Sequence, residues 1–229
     1  NKTKFQEMIN LGIKYCDHDK LVTFGVVPTS PITGYGYIKA EKPFNPTQVI
    51  GSKIEKFIEK PDLEKATNLI KDKKYTWNSG IFMFKAKVII EEIQKSAPKV
   101  SKYCNHAIQN IEKDLDFQRL NKDIFKKCPD ISIDIAVMEK TKKGVVIPMD
   151  AGWNDIGSWE SIWETSDKDR NGNSLQGKVI IKDTKNCYLR SEDRLIVGIG
   201  LENLVIVETN DAILVADKDL SQEVKKIVA

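Results

Sequence analysis

The chain has 229 residues, which is enough for one domain of ordinary size or for one domain and a small second one. Hydrophobic residues make up 41% of it, a share that is typical of a packed core and excludes a disordered chain. The formal charge is +3 and the lysines are scattered, so we expect no nucleic-acid partner. Because the apolar runs are too short to cross a bilayer and no signal-peptide pattern opens the chain, we expect no membrane partner and a cytoplasmic location.

The first two thirds of the chain alternate between helical and strand patterns. Apolar residues from Phe5 to Ile13 recur at helical spacing and predict an amphipathic helix over 4–16. Other runs predict strands over 21–27, 54–58, 78–84 and 144–148, and helices over 62–71, 88–93 and 133–140. Pro98 should stop the third helix, and a polar helical stretch is expected from there to residue 127. This alternation indicates an α/β domain with a largely parallel sheet.

The pattern changes near Asp167, where a polar, turn-rich stretch predicts a linker. Short strand-like runs follow at 178–181, 187–189, 195–199, 204–208 and 213–215, separated by turn residues. This spacing predicts an all-β module, with a closing helix after Asp219. We therefore place the domain boundary near residue 165, which gives domains at 1–165 and 166–229.

The cysteines and histidines give no sign of zinc binding or nucleophilic catalysis. His18 and His106 are isolated, and no cysteine lies at the spacing of a zinc site. We expect reduced, mostly buried thiols at all four cysteines, which are Cys16, Cys104, Cys128 and Cys187.

Two segments combine flexibility or charge with the end of a strand. Gly34, Tyr35 and Gly36 would let a ligand approach the backbone beside an aromatic face, although by itself this segment favours an ordinary turn that leads into a strand. Glu59 and Lys60 end a predicted strand, where a glutamate suits sugar hydroxyls and a lysine suits a phosphate. Since neighbours on a strand point to opposite faces, we expect these two not to pair with each other. The alternative is a solvated charge pair.

Two further segments offer polar side chains. Asn78 and Ser79 follow a tryptophan, and an amide can both donate to and accept from sugar hydroxyls; the alternative is a turn into the next strand. Asp134 precedes an apolar helical run, where it or Ser132 could simply cap the helix.

Asp155 stands in a glycine-containing turn between Trp153 and Trp159. Carboxylate oxygens are ligands that Mg²⁺ prefers, so this residue is a candidate metal ligand. The alternative is an N-cap of the helix that follows.

Taken in order, these segments resemble those of bacterial mannose-1-phosphate guanylyltransferases. The matching stretches are Gly-Tyr-Gly-Tyr-Ile at 34–38, Phe-Ile-Glu-Lys-Pro at 57–61, Trp-Asn-Ser-Gly at 77–80, Ser-Ile-Asp-Ile-Ala-Val-Met-Glu at 132–139 and Trp-Asn-Asp-Ile-Gly-Ser-Trp at 153–159. The tail from Glu202 to Val215 is similar to the family's C-terminal β module. The resemblance implies a Rossmann-like nucleotidyltransferase domain with a mostly parallel mixed sheet, followed by a small β domain like a left-handed β-helix.

The resemblance also implies an activity and the residues that serve it. The reaction joins mannose 1-phosphate to GTP and releases pyrophosphate, with Mg²⁺ as the cofactor and a homodimer as the expected assembly. Lys60 and Asp155 would be the catalytic residues, Lys60 on the sugar phosphate and Asp155 on the metal. The substrate-binding residues would be Gly34, Tyr35, Gly36, Glu59, Lys60, Asn78, Ser79 and Asp134.

One departure from the family pattern leaves alternatives open. The glycine-rich, arginine-containing signature that holds the nucleotide phosphates in the family is absent from this sequence. We therefore expect the chain by itself to be incomplete and inactive, although it could still bind mannose 1-phosphate. The alternatives are a hexose-1-phosphate transferase that uses UTP or dTTP, and a non-catalytic fragment that binds sugar phosphates.

Overall fold

The computed structural model describes residues 1–45 and 49–228. Its contacts divide the chain into two compact units, Asn1–Trp153 and Asn154–Ala229. The domain boundary near residue 165 stays a prediction, because contacts alone do not define where a domain begins in sequence. No helix in the described ranges has the length and apolar character that a membrane span requires.

The first unit contains seven strands and five α-helices among its described residues. The strands are β1 Leu21–Val26, β2 Tyr37–Ala40, β3 Ser52–Ile58, β4 Tyr75–Met83, β5 Glu112–Asp114, β6 Phe117–Arg119 and β7 Gly144–Met149. The helices are α1 Lys2–Asp17, α2 Leu63–Leu69, α3 Ala86–Ser96, α4 Pro98–Gln109 and α5 Lys122–Phe125, and a π-helical turn spans Asp134–Met138.

Five of these strands close on one another in the order β1-β4-β2-β3-β7. Only β1 and β7 are parallel, and the other four pairs are antiparallel. The mixed α/β class is confirmed, but the largely parallel sheet is wrong for these strands. A parallel neighbour needs a long crossover, and a loop without a helix leads from β1 to β2.

The closed sheet is covered by helices on two sides, which is why β1 is buried along nearly its whole length. Leu21 packs with Val88 of α3 and Val137 of the π-helical turn. Val22 and Phe24 pack in the cluster that contains Met8 of α1. Because alternate residues of a strand face opposite sides, both sides of β1 become core.

The segment 77–83 is part of one long strand and not a turn followed by a strand. The register of β4 against β1 slips between Thr23, which lies opposite Phe82, and Gly25, which lies opposite Asn78. Gly80 has φ +72° inside the slip, a conformation that glycine adopts without strain. The turn chemistry of this segment therefore builds a bulge.

The stretch from Pro98 to residue 127 is not one helix. Pro98 begins α4, since a proline at the first helical position loses no hydrogen bond. The hairpin of β5 and β6 interrupts the helical pattern, and Leu115 has φ +53° at its turn. Asn121 then caps the short α5.

The second unit is built mainly from short parallel strands. Its elements are α6 Trp159–Thr165, β8 Ser174–Gln176, β9 Val179–Lys182, β10 Tyr188–Ser191, β11 Ile196–Ile199, β12 Leu204–Glu208, β13 Ile213–Asp217, a 3-10 helix Lys218–Glu223 and α7 Val224–Val228. Strands β8, β10 and β12 are parallel in one sheet, and β9 and β11 are parallel in another. Strand β13 runs antiparallel to β12. The predicted strands and closing helix are present, together with β8, which the sequence pattern did not indicate.

The carboxylate of Glu208 fixes one turn of the second unit. Its Oε2 accepts hydrogen bonds from the backbone N–H groups of Glu192, Asp193 and Arg194 at 3.0, 3.0 and 3.1 Å. The Arg194 guanidinium lies 3.0 Å from Oε1, and the Glu208 side chain is only 1% exposed. The buried charge is therefore fully compensated, as burial requires.

Candidate functional site

Glycine at position 36 brings a carboxylate against the backbone of the first unit. Gly36 precedes β2, and its carbonyl accepts a hydrogen bond from Asn78 N at 2.7 Å. A Cβ atom at Gly36 would lie 2.8 Å from Glu59 Oε2 and 3.3 Å from Asn78 Cβ. Glu59 follows β3 and Asn78 lies in β4, so three separate segments converge here. Only a residue without a side chain allows this approach.

The side-chain amide of Asn78 is held from two sides. Thr23 of β1 donates to Asn78 Oδ1 at 3.0 Å, and Asn78 Nδ2 donates to Asp134 Oδ1 at 3.1 Å. An amide has two N–H groups and two oxygen lone pairs, so one of each stays available to a ligand. Thr23 is fully buried and was not predicted from the sequence. A threonine in a buried strand is ordinary there, so only its register opposite β4 could have revealed it.

The surroundings of Asp134 disfavour its negative charge. Burial raises the pKa of its carboxyl group, and the negative charge of Glu59 raises this pKa further. Hydrogen bonds from its own backbone N–H, Ser132 and Asn78 offset part of the effect. The side chain therefore does more than begin a helix, and the Ser132 hydroxyl instead accepts from Ile135 N at 3.4 Å. A partly buried carboxylate beside a second carboxylate suits a ligand that donates several hydroxyl groups.

Lys60 pairs with Glu59, contrary to the expectation from strand geometry. Its Nζ lies 3.2 Å from Glu59 Oε1. The alternation rule does not apply, because β3 ends at Ile58 and Lys60 has φ +43°, which turns the chain. The lysine side chain is 65% exposed, so its charge can still reach an anion at the edge of the cluster.

The other predicted binding residues have distinct surroundings. The Tyr35 ring contacts Trp77 at 5.3 Å and Trp153 at 5.8 Å between centroids, both edge-on. Gly34 is exposed in open space, where a Cβ atom would meet nothing closer than 4.0 Å. Ser79 is buried, and its hydroxyl accepts from Ile81 N at 3.3 Å within the bulge.

Apart from this cluster, a cavity of the first unit opens at the carboxyl ends of the two parallel strands β1 and β7. This cavity has a volume of about 680 Å³, which is in the range of small-ligand pockets. Thr29, Lys73, Tyr75, Asp150 and Trp153 are among its lining residues. Trp153 also contacts Tyr35, so the aromatic pair joins the cavity wall to the segment of Gly36.

Asp155 belongs to the second unit and is exposed in an irregular segment. It does not cap α6, because Ser158 is the N-cap of that helix. The Ser158 side chain accepts a hydrogen bond from Ser161 N, and the Ser161 side chain accepts one from Ser158 N. The Asp155 carboxylate has no hydrogen bond or ion pair with any residue that the structure describes. Over the same residues no three His, Cys, Asp or Glu side chains form a group that could hold a metal ion. One free carboxylate fits Mg²⁺, which often takes only one or two carboxylates together with phosphates and water.

Comparison with family models gives the class of protein: the chain belongs to the nucleotidyl transferase family. The sequence model of that family matches residues 1–172. A second model, described as the MannoseP isomerase/GMP-like β-helix domain, matches residues 177–229. The expected nucleotidyltransferase domain and β-helix module are therefore confirmed.

Individual relatives narrow the comparison. The chain is 49% identical over its whole length to a putative mannose-1-phosphate guanylyltransferase of Vibrio cholerae, and covers 48% of that relative. It is 47% identical to a mannose-1-phosphate guanylyltransferase of Salmonella montevideo, with 98% of this chain and 48% of the relative covered. The crystal structure of a Thermus thermophilus protein described as mannose-1-phosphate geranyltransferase aligns with a TM-score of 0.82 and 26% identity. That alignment covers all of this chain and 65% of the other.

The chain spans about half the length of the curated relatives it matches. The resemblance to mannose-1-phosphate guanylyltransferases that the five motifs indicated is confirmed at the level of sequence similarity.

Proposed function

We propose that this chain is part of an enzyme that transfers GMP from GTP to mannose 1-phosphate, giving GDP-mannose and pyrophosphate. The observation that carries the proposal is similarity to mannose-1-phosphate guanylyltransferases along the whole chain, at 49% and 47% identity. The polar cluster at Gly36, Glu59, Asn78 and Asp134 supports it, since these residues come from the motifs on which the resemblance to that family rests.

In this proposal the first unit holds the sugar. Glu59 and Asp134 accept hydrogen bonds from mannose hydroxyls, and the free N–H and lone pair of Asn78 serve hydroxyls that donate and accept. Gly36 gives the sugar ring access to the backbone, and Tyr35 offers the ring an apolar edge. Thr23 keeps the Asn78 oxygen and nitrogen in fixed positions.

The chemistry needs positioning and charge neutralisation more than proton transfer. An oxygen of mannose 1-phosphate forms a bond to the α-phosphorus of GTP while the bond to the β-phosphate oxygen breaks and pyrophosphate leaves. The attacking oxygen is already ionised, so no general base is required. Lys60, exposed beside the polar cluster, would hold the phosphate of mannose 1-phosphate and offset its repulsion by the phosphates of GTP.

We propose Asp155 as a ligand of Mg²⁺, which when bound supplies charge stabilisation on the phosphates. The support is the free carboxylate of Asp155 and the presence of a separate cap for α6 at Ser158. In the longest polypeptide that the gene encodes, Asp155→Asn should lower turnover by a factor on the order of 100, the effect of removing one preorganised charged group. The melting temperature should hardly change, and raising the Mg²⁺ concentration should recover part of the loss. Unchanged turnover at low Mg²⁺ would remove Asp155 from the site.

The activity is tested by pyrophosphate release, measured on this chain and on the longest polypeptide that its gene encodes. We expect GTP with mannose 1-phosphate to give the highest kcat/KM in the longer polypeptide. A preference for UTP or dTTP with glucose 1-phosphate would favour a different hexose-1-phosphate transferase. Binding of mannose 1-phosphate without turnover in either polypeptide would favour a non-catalytic sugar-phosphate-binding protein.

The sugar site is tested separately by calorimetric titration with mannose 1-phosphate. Asn78→Ala should weaken binding about 10-fold or more, since hydrogen bonds in a charged cluster contribute about 1.5–3 kcal/mol. Asn68→Ala is the matched control. Asn68 is a residue of α2, and among the residues described its side chain forms a hydrogen bond only with Lys71. Equal affinity in the two variants would place the sugar elsewhere. The cytoplasmic location and the homodimer stay predictions, the latter open to light scattering.

A further inference from the structure

Two of the four cysteines lie side by side in the first unit. Cys104 Sγ and Cys128 Sγ are 4.0 Å apart. Cys104 belongs to α4, and Cys128 lies in the turn after α5, where its N–H donates to Phe125 O at 2.9 Å. Both residues are half-buried, so a small reagent can reach the sulfur atoms without unfolding the unit.

The other two cysteines are placed differently. Cys16 and Cys187 are buried, and each donates its S–H to a backbone carbonyl, that of Met83 at 3.3 Å and that of Lys185 at 3.2 Å. Burial raises the pKa of both thiols. These two are inert members of the core, and they serve as internal controls for the half-buried pair Cys104 and Cys128.

We propose that Cys104 and Cys128 are an oxidation site at which a low-molecular-weight disulfide such as oxidised glutathione introduces an intramolecular disulfide. A disulfide has its sulfur atoms about 2.05 Å apart, so the pair must approach by roughly 2 Å. The pair already touches in the reduced protein, and α4 packs against α5, so small side-chain rotations and a slight shift of the turn provide this movement.

The reaction balances without any group from the enzyme's own chemistry. The thiolate of one cysteine attacks a sulfur of oxidised glutathione, forms a mixed disulfide and releases one glutathione thiolate. The second cysteine, after losing its proton, attacks the mixed disulfide at the protein sulfur and releases the second glutathione. Two protein thiols are oxidised, one glutathione disulfide is reduced, and the protons pass to the two glutathione thiolates.

The surroundings of the pair set its rate. Burial raises the pKa of the Cys128 thiol, and the neighbouring Cys104 raises it further. Only a small fraction of Cys128 is therefore thiolate at neutral pH, and the oxidation rate should rise as the solution becomes alkaline. This is the behaviour of a slow, reversible modification.

The bond would act on a loosely anchored part of the unit. It would join residues 24 positions apart and enclose the hairpin of β5 and β6, whose Leu115 and Phe117 are 96% and 63% exposed. Closing such a loop removes conformational freedom from open states, so the oxidised first unit should melt at a higher temperature. The disulfide would also end at Cys128, six residues before Asp134, so it would restrain the segment that leads to the polar cluster.

The experiment treats the native protein with oxidised glutathione and counts thiols after denaturation. We expect four thiols to fall to two, a mass lower by two hydrogen atoms, and a monomeric band without reductant. Peptide mapping should show one link, between the peptides of Cys104 and Cys128, and dithiothreitol should reverse both the link and the rise in melting temperature.

Cys104→Ser and Cys128→Ser show whether the pair acts together. Each variant should retain one glutathione as a stable mixed disulfide, because the resolving thiol is gone. Four persistent thiols in the native protein, a link that includes Cys16 or Cys187, or a disulfide only between molecules would overturn the proposal. A lower melting temperature for the oxidised form would also overturn it, since the folded packing would then not present the pair ready to react.

Discussion

Asp134 and Glu208 are both shielded carboxylates, one in each unit, and their surroundings have opposite effects. Burial and the charge of Glu59 raise the pKa of Asp134. The backbone N–H of Asp193, with those of its neighbours and the Arg194 guanidinium, lowers the pKa of Glu208 despite the desolvation that opposes it. Hydrogen bonds and an ion pair compensate the negative charge of Glu208 and hold a turn together, whereas burial and a like charge disfavour the ionised form of Asp134. A carboxylate whose ionised form is disfavoured is typical of a binding site, while a fully compensated carboxylate is typical of a structural role.

The glycines of the two units differ in the same way. Gly36 leaves room for the end of a flexible carboxylate, while Gly177 leaves room for a backbone carbonyl. Substitutions at Gly177 and Glu208 in the second unit should therefore change stability and leave sugar binding alone. Substitutions at the cluster in the first unit should do the reverse.

The largest effect is expected for Gly177→Ala. A Cβ atom there would lie 2.0 Å from Ser191 O, and the residue has φ +80°. Backbone strain costs about 1–2 kcal/mol, and displacing backbone should bring the loss of unfolding free energy to about 3 kcal/mol or more. Gly200→Ala is the control, with φ +65° and open space, and should show the strain alone. Chemical denaturation measures both, and equal losses would show that the close approach does not matter.

Glu208→Gln should give the next largest loss, and the loss should depend on pH. A group whose folded pKa is lowered stabilises the protein above its unfolded pKa, and this contribution disappears as pH falls through the folded pKa. The difference in melting temperature between wild type and variant should thus be full at neutral pH and shrink below about pH 4.5. Glu192→Gln removes only an exposed pair with Arg190 and should change little. A pH-independent difference would mean that shape, and not charge, holds the turn.

Gly36→Ala should affect binding more than folding. The added Cβ must push Glu59 Oε2 from 2.8 Å, and a flexible side-chain end can move at low cost. Mannose 1-phosphate should then bind about 10-fold more weakly, as expected when one charged hydrogen bond is misplaced. Gly200→Ala, which lies in the second unit and places its Cβ in open space, should bind normally. The same titration measures both, and a normal affinity for Gly36→Ala would separate Glu59 from the sugar.

The smallest effect on stability is expected for Asp134→Asn, and its sign is unusual. A carboxyl group with a raised folded pKa destabilises the folded state once ionised, so its cost appears as pH rises above about 3.8 and is complete above the folded pKa. The variant should therefore melt at or slightly above the wild-type temperature at neutral pH. It should still bind mannose 1-phosphate several-fold more weakly. A clear drop in melting temperature at neutral pH would show that the Asp134 charge supports the fold.

The sequence predicted the elements with strong periodicity and missed the places where register or turn geometry decides. Helix α1 and strand β1 were predicted nearly to their ends. One apolar face defines the helix, and a run of β-forming residues buried on both faces defines the strand. The pairing of Glu59 with Lys60 was wrongly excluded, because the positive φ of Lys60 is invisible in the sequence. The motif residues Gly36, Glu59 and Asn78 were predicted, but Thr23 depends on the pairing of β1 with β4 across 55 residues. Long-range register of this kind is a property of the fold and not of any local pattern.

Strand β13 has a consequence for self-association. Parallel coils such as β8, β10 and β12 present an unpaired strand at their end, on which another chain could continue the stack. Within the described residues β13 covers β12 along its whole length, from Leu204 opposite Asp217 to Glu208 opposite Ile213, and reverses the direction. An incoming chain therefore meets an antiparallel strand at this edge and cannot continue the parallel order of the coil. One short reversed strand thus ends the repeat.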